Sequence, residues 1–141
     1  MTTVIVDISE RLRRAAAYRE AARAVAAAAP QLPLLTTDPS IWLNNDPFSP
    51  PQSGGTRDHG DPERAAVIRR AARYADRITL HLTSADEEED AELEWVDERL
   101  GMFWGVVEGI AEGLLERGNM SKRDMVAIVI RHYLLNRTNA T

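Results

Sequence analysis

The sequence predicts a mainly α-helical chain of four or five helices with one or two short strands and a Gly-lined helix built for close packing. Three observations predict it. Apolar and Ala residues recur at helical spacing over most of the chain, and Ser, Asp and Pro stand where helices should begin. Alternation of the strand type is confined to residues 3–8 and 77–83. The 141 residues suit one domain, and 44% hydrophobic with 28% charged residues excludes wholesale disorder. No apolar run approaches the roughly eighteen residues of a membrane span, so no membrane partner is expected.

The elements follow in order. Thr3, Val4, Ile5 and Val6 are β-branched and predict a short strand or extended arm. Ser9 then offers an N-cap for a helix reaching about Ala29 and stopped by Pro30. Its second half, rich in Ala from Ala21 to Ala29, has high propensity and little bulk, which lets a neighbour approach closely. Residues 30–62 form the one long irregular stretch, holding all seven prolines and Gly54, Gly55 and Gly60. Ile41, Trp42, Leu43 and Phe48 within it either clip the loop to the core or dock a protein partner through residues 41–48, with Trp42 and Phe48 as anchors.

Asp61-Pro62-Glu63 starts a helix that should run to about Tyr74 or Ala75. From there residues 77–83 alternate strictly and predict a strand, with Ile78, Leu80 and Leu82 on one face and Arg77, Thr79, His81 and Thr83 on the other. Ser84 caps an acidic first turn, residues 86–90, of a helix with Leu93, Val96 and Leu100 as its apolar stripe. Gly101, Gly105, Gly109 and Gly113 recur every fourth residue. At roughly 1 kcal/mol each relative to Ala, they predict a compensating close contact, either with the Ala-rich helix or with the same face of a second copy. Gly118-Asn119 ends this helix, Ser121 caps the last one, and residues 125–135 are strongly apolar.

The net charge of −5 conceals segregation: twelve carboxylates and one Arg99 lie between residues 86 and 116, while residues 9–23, 63–77 and 117–137 are rich in Arg. Such blocks favour contact between acidic and basic segments and permit a local anionic partner. The lack of cysteine removes disulfide and thiol chemistry. His59, His81 and His132 stand too far apart for metal-ligand spacing. Glu108, Glu112 and Glu116 share a helix face but lack the Glu-x-x-His pair of a di-iron bundle. Ser53-Gly54-Gly55-Thr56 lacks the Lys of a phosphate loop. Neither a cofactor nor an enzymatic activity is expected. Residues 1–7 have neither the basic nor the apolar region of a secretion signal, so a cytoplasmic or virion setting is expected.

The alternating stretch from Arg77 to Leu82 is followed by a helix and then by Met120-Ser121-Lys122-Arg123-Asp124-Met125-Val126 and Arg131-His132-Tyr133-Leu134. Together, over residues 77–135, they resemble ribbon–helix–helix DNA-binding proteins. In that family strands of two subunits pair into a ribbon that enters the major groove. The resemblance implies that Arg77, Thr79 and His81 face base edges, and that Ser121, Lys122 and Arg123 at the start of the last helix meet phosphate. Here 35 residues, 84–118, stand where the family has one short helix. The leading expectation is thus a small, dimeric, non-catalytic accessory or regulatory protein associated with duplex DNA. A helical protein–protein adaptor, or a phage or plasmid assembly component without DNA contact, is the alternative. In either case the glycine face, Gly105, Gly109 and Gly113, is the expected route of self-association.

Overall fold

The computed structural model describes residues 2–27, 40–44, 50–81 and 91–139. Their order is α1 (Thr2–Ala26), β1 (Ser40–Leu43), β2 (Ser53–Gly54), α2 (Pro62–Thr79), a 3-10 turn at Ala91–Leu93, α3 (Glu94–Met102), α4 (Trp104–Arg117), β3 (Asn119–Ser121) and α5 (Lys122–Asn139). The mainly helical class read from the sequence is the class observed. Among the described residues, no helix is long and apolar enough to cross a membrane.

Helix α1 is the centre. Its Ala-rich half is buried on every side, from Ala15 to Ala26 with only Arg19 and Arg23 partly exposed, because α2, α4 and the small sheet close around it. Small side chains let these neighbours approach, as the composition predicts. The expected strand at residues 3–8 and the N-cap at Ser9 are corrected: the helix begins at Thr2 and passes through Ser9. A strand there would need a neighbour to complete its hydrogen bonds. A helix already nucleated by the alanines extends using its own backbone, at a propensity cost below about 1 kcal/mol per β-branched residue.

Helix α2 starts as expected, with Pro62 in its first turn and the Asp61 carboxylate accepting from the Glu63 amide at 2.9 Å. It does not stop at Ala75. Residues 77–79 form its last turn, so the strand expected at 77–83 is corrected; residues 82 and 83 lie outside the described residues. Ala71, Ala75 and Ile78 also satisfy helical spacing, and the alternation is too short to overrule a helix already running. The Thr79 hydroxyl donates to the Ala75 carbonyl at 2.8 Å, the Leu80 amide to the Asp76 carbonyl at 2.9 Å, and His81 takes a left-handed φ of 54°.

The irregular stretch 30–62 contains structure the sequence reading did not assign. Strand β1 pairs antiparallel with β2 (Trp42 opposite Gly54) and with β3 (Ile41 opposite Met120), giving the order β2-β1-β3. Its burial alternates: Ile41 and Leu43 are buried, Ser40 and Trp42 exposed. Gly55 makes the sharp exit from β2 with φ +114°, where a Cβ would fall 2.6 Å from the Ile41 Cα.

Glu20, fully buried in α1, fastens this sheet. Its Oε1 accepts from Ser53 Oγ at 3.2 Å and Arg23 Nη1 at 3.1 Å, and its Oε2 from the Thr56 amide at 3.1 Å. Elsewhere Arg19 bonds Asp76 between α1 and α2. Arg70, nearly buried, makes a two-pronged bond to Asp97 between α2 and α3 at 3.0 and 2.9 Å. Val96 and Leu100 face the core as the stripe predicts, and Gly118 ends α4 with φ 82°. The cap at Ser84 and the acidic turn 86–90 lie outside the described residues.

Candidate functional site

The glycines expected to line one helix are divided between two. The chain breaks at Phe103, so Gly101 belongs to α3, where a Cβ would sit 3.4 Å from the Tyr74 hydroxyl, while Gly105, Gly109 and Gly113 belong to α4. Their face packs not on the Ala-rich helix but against β3 and α5 of the same chain, with Gly105 exposed and Gly109 and Gly113 half-buried. A Cβ on Gly105 would lie 2.6 Å from His132 Cε1, one on Gly109 2.8 Å from Ile128 Cγ2, and one on Gly113 2.7 Å from Met120 Sδ. The close packing predicted from the spacing is present, and its partner is corrected to α5. The reason is chain economy: after Gly118 the chain reverses through three residues of β3, so α5 must return along α4.

The two helices leave a groove of about 530 Å³ between them, lined by the three glycines, Met120, Ala127 and Ile128, and rimmed by Glu112, Glu116, Arg117, Asp124, Arg131 and His132. On the other side of α4 a second recess of about 710 Å³ is lined by Glu10, Arg11, Arg13, Arg14, Glu112 and Leu115. Glu112 stands between them. Its Oε1 accepts from Arg14 Nη2 at 2.6 Å and from the Tyr18 hydroxyl at 3.2 Å. Burial, reinforced by the carboxylates nearby and opposed by Arg14, raises the Tyr18 pKa, so the phenol stays a donor. Tyr18 and Tyr74 flank Trp104 with ring centroids 5.8 Å away on each side, and burial raises the Tyr74 pKa too.

Sequence-predicted residues fall in three separate places. Arg77 and Thr79 are on the last turn of α2 and His81 just beyond it, so they form no alternating strand face. Ser121, Lys122 and Arg123 are at the start of α5, which packs on α4 and β3, whereas α2 packs on α1 and α3. Lys122 and Arg123 are exposed. Ser121 is already engaged: its amide donates to Asp124 Oδ2 and its hydroxyl accepts from the Asp124 amide, both at 3.1 Å. The Ser121 amide, with help from Arg117 at 3.4 Å, lowers the Asp124 pKa and keeps an anion of the chain's own at this helix start. Trp42 is exposed with its ring over Gly54, while Phe48 lies outside the described residues.

Two surface features escaped sequence reading. Ile8 and Leu12, four residues apart on α1, are 53% and 46% exposed, and Ile130 and Leu134, four apart on α5, are 55% and 59% exposed. The first pair was legible only once residues 3–8 were helix. The second was hidden because the whole segment 125–135 is apolar, and burial chooses Met125 for the core, leaving the opposite face out. No protein-family model, curated protein or solved structure matches this chain.

Proposed function

We propose that this chain is a small non-catalytic adaptor that works by docking protein partners on its outer helical faces. The observation that carries the reading is the pairing of large apolar residues one helical turn apart on the outward faces of α1 and α5, beside an otherwise closed core. Single exposed apolar residues are ordinary on any surface; repeated i, i+4 pairs with arginines beside them are the pattern of a helix that meets another surface. Exposed Trp42, at the sheet edge, adds an aromatic anchor of the type that dominates interface energetics.

Association with duplex DNA is the second reading, and one observation favours it. Arg69, Arg73 and Arg77 recur every fourth residue along α2, Arg69 exposed and the other two half-buried, a cationic row that could meet a phosphate backbone in place of the expected ribbon. A duplex titration between about 50 and 200 mM salt, run beside a solution-mass measurement, separates the two. The adaptor reading expects no salt-dependent duplex binding. Duplex binding that weakens uniformly across sequences in Arg73→Ala, with a salt slope reduced by about one, overturns it in favour of the second.

A further inference from the structure

Two outward helix faces of this chain carry opposite charge. On α5, Met125, Ile128 and His132 turn inward, and the opposite side presents Ala127, Ile130 and Leu134 at the three-and-four spacing of a helix that meets another helix. Exposed Lys122, Arg123 and Arg131 border that stripe, Arg131 at its groove edge, and the one carboxylate of α5, Asp124, is committed to Ser121 and Arg117. On α3, Val96 and Leu100 enter the core, while Asp97 and Gly101 face Arg70 and Tyr74 of α2. Its outer side is left with Trp95, with Met102, at 73% the most exposed large apolar side chain among the described residues, and with exposed Glu94 and Glu98. Arg99 lies at the inner edge of this face, half-buried, stacked on Trp95 and donating to the Ala26 carbonyl. None of Glu94, Glu98, Lys122, Arg123 and Arg131 has an ion pair among the described residues.

Resting on the adaptor reading, and naming one occupant of its outer faces, we propose that the outward face of α3 in one copy of this chain docks antiparallel on the outward face of α5 in a second copy. Both faces are exposed in the single chain, so neither covers the other within it. Trp95 and Met102 are two helical turns apart, about 10.5 Å, and so are Ala127 and Leu134. Antiparallel helices set Trp95 against Leu134 and Met102 against Ala127, whose small side chain leaves room for the flexible thioether. The same register brings Glu98 opposite Arg131, the acid of one face onto the cation of the other. The remaining exposed apolar groups do not offer this match. The turn bearing Ile8 and Leu12 also bears exposed Arg11, and its Glu10 is held by Arg13; Ile78 follows Arg77, and the nearby Asp76 is held by Arg19. Either would set cations against the cations of α5. Trp42 stands in a strand with no charged residue. Each copy carries one face of each kind, so the contact is either made twice across a two-fold axis or repeated from copy to copy.

The test is charge reversal with mixing, read by sedimentation equilibrium of the full chain. Glu98→Arg and Arg131→Glu are each expected to weaken self-association by about tenfold or more. An equimolar mixture of the two variants should associate to within about threefold of the parent chain, because each supplies the charge that the other lacks opposite it. Both side chains are exposed, so circular dichroism and Tm of each variant should match the parent. Raising salt from about 50 to 500 mM should weaken association of the parent chain severalfold, a measurement that needs no variant to fold. A monomeric mass at all concentrations up to roughly 1 mM overturns the proposal. So does association that ignores either reversal or is unchanged by salt, and so does a mixture that associates no better than its components. Each of those results leaves the adaptor reading in place with another partner on these faces. The adaptor reading itself falls only to the duplex titration.

Discussion

Replacing Glu20 by Ala tests whether one buried carboxylate holds the sheet to the central helix. The side chain is fully buried and serves Arg23 Nη1 at 3.1 Å, Ser53 Oγ at 3.2 Å and the Thr56 amide at 3.1 Å. Arg23 is 27% exposed and can turn to water, and the Ser53 hydroxyl can rotate, so neither loses its bond outright. The Thr56 amide cannot turn. Stranding it costs about 1–3 kcal/mol, and with the small cavity left by the side chain the total is about 3 kcal/mol. For a chain of this size that lowers Tm by about 10 °C. Glu20→Gln keeps an acceptor oxygen but turns a donor toward a donor, and should lose about half as much. Urea unfolding followed by circular dichroism gives the difference, and hydrogen exchange at Thr56 localises it. A double-mutant cycle with Ser53→Ala should show coupling of at least about 0.5 kcal/mol. A loss under about 0.5 kcal/mol in Glu20→Ala, with Thr56 exchange unchanged, would refute the anchoring role.

Two further outcomes follow from the packing of α5. Gly109→Leu places a Cβ 2.8 Å from Ile128 Cγ2 and should cost about 1–3 kcal/mol. Because that contact is within one chain, the loss of Tm must be independent of protein concentration, and a concentration-dependent loss would show a second copy on this face. The lowered pKa of Asp124 makes a signed prediction about acid. Its contribution is complete above the ordinary carboxylate range and is lost as pH falls through the lowered folded-state value. Asp124→Asn should therefore flatten the acid limb of the urea midpoint plotted against pH, and an unchanged limb would mean that the Ser121–Asp124 box does not form in solution.

What the sequence made legible was whatever depends on a few neighbouring residues. Asp61-Pro62 starts α2, Gly118 stops α4, and Ser121 with Asp124 starts α5, because caps are local hydrogen bonds. The close packing at Gly105, Gly109 and Gly113 was legible as a need, but not as a partner. Which helix fills a bare face is decided by the reversal at β3, a feature of three residues with little pattern of its own. The errors at residues 3–8 and 77–83 share one cause. A short β-branched or alternating run predicts a strand when taken alone, whereas in the molecule residues 3–8 and 77–79 continue helices whose other residues are already packed. Ile41 and Leu43, which the sequence leaves open between core clips and a docking segment, are buried in the core, but their strand partners, Met120 and Ser53, lie 79 and 10 residues onward, beyond any local signal.

The candidate surface is where packing stops, and the same physics explains its position and why the proposed docking would cost little. An isolated helix of a dozen residues is marginal in water. The first half of α1 gains its order from the second half, which is locked among α2, α4 and the sheet, so its outward face is presented without support of its own. Helix α5 is in the mirror situation. Its inner face, at Met125, Ile128 and His132, is committed to β3 and to the glycines of α4, while Ile130 and Leu134 point away. No contact of the closed core has to break for either outward face to be covered. Docking can therefore proceed as a rigid-body event with little ordering cost, and substitutions at Ile8, Leu12, Ile130 and Leu134 should change association far more than they change unfolding.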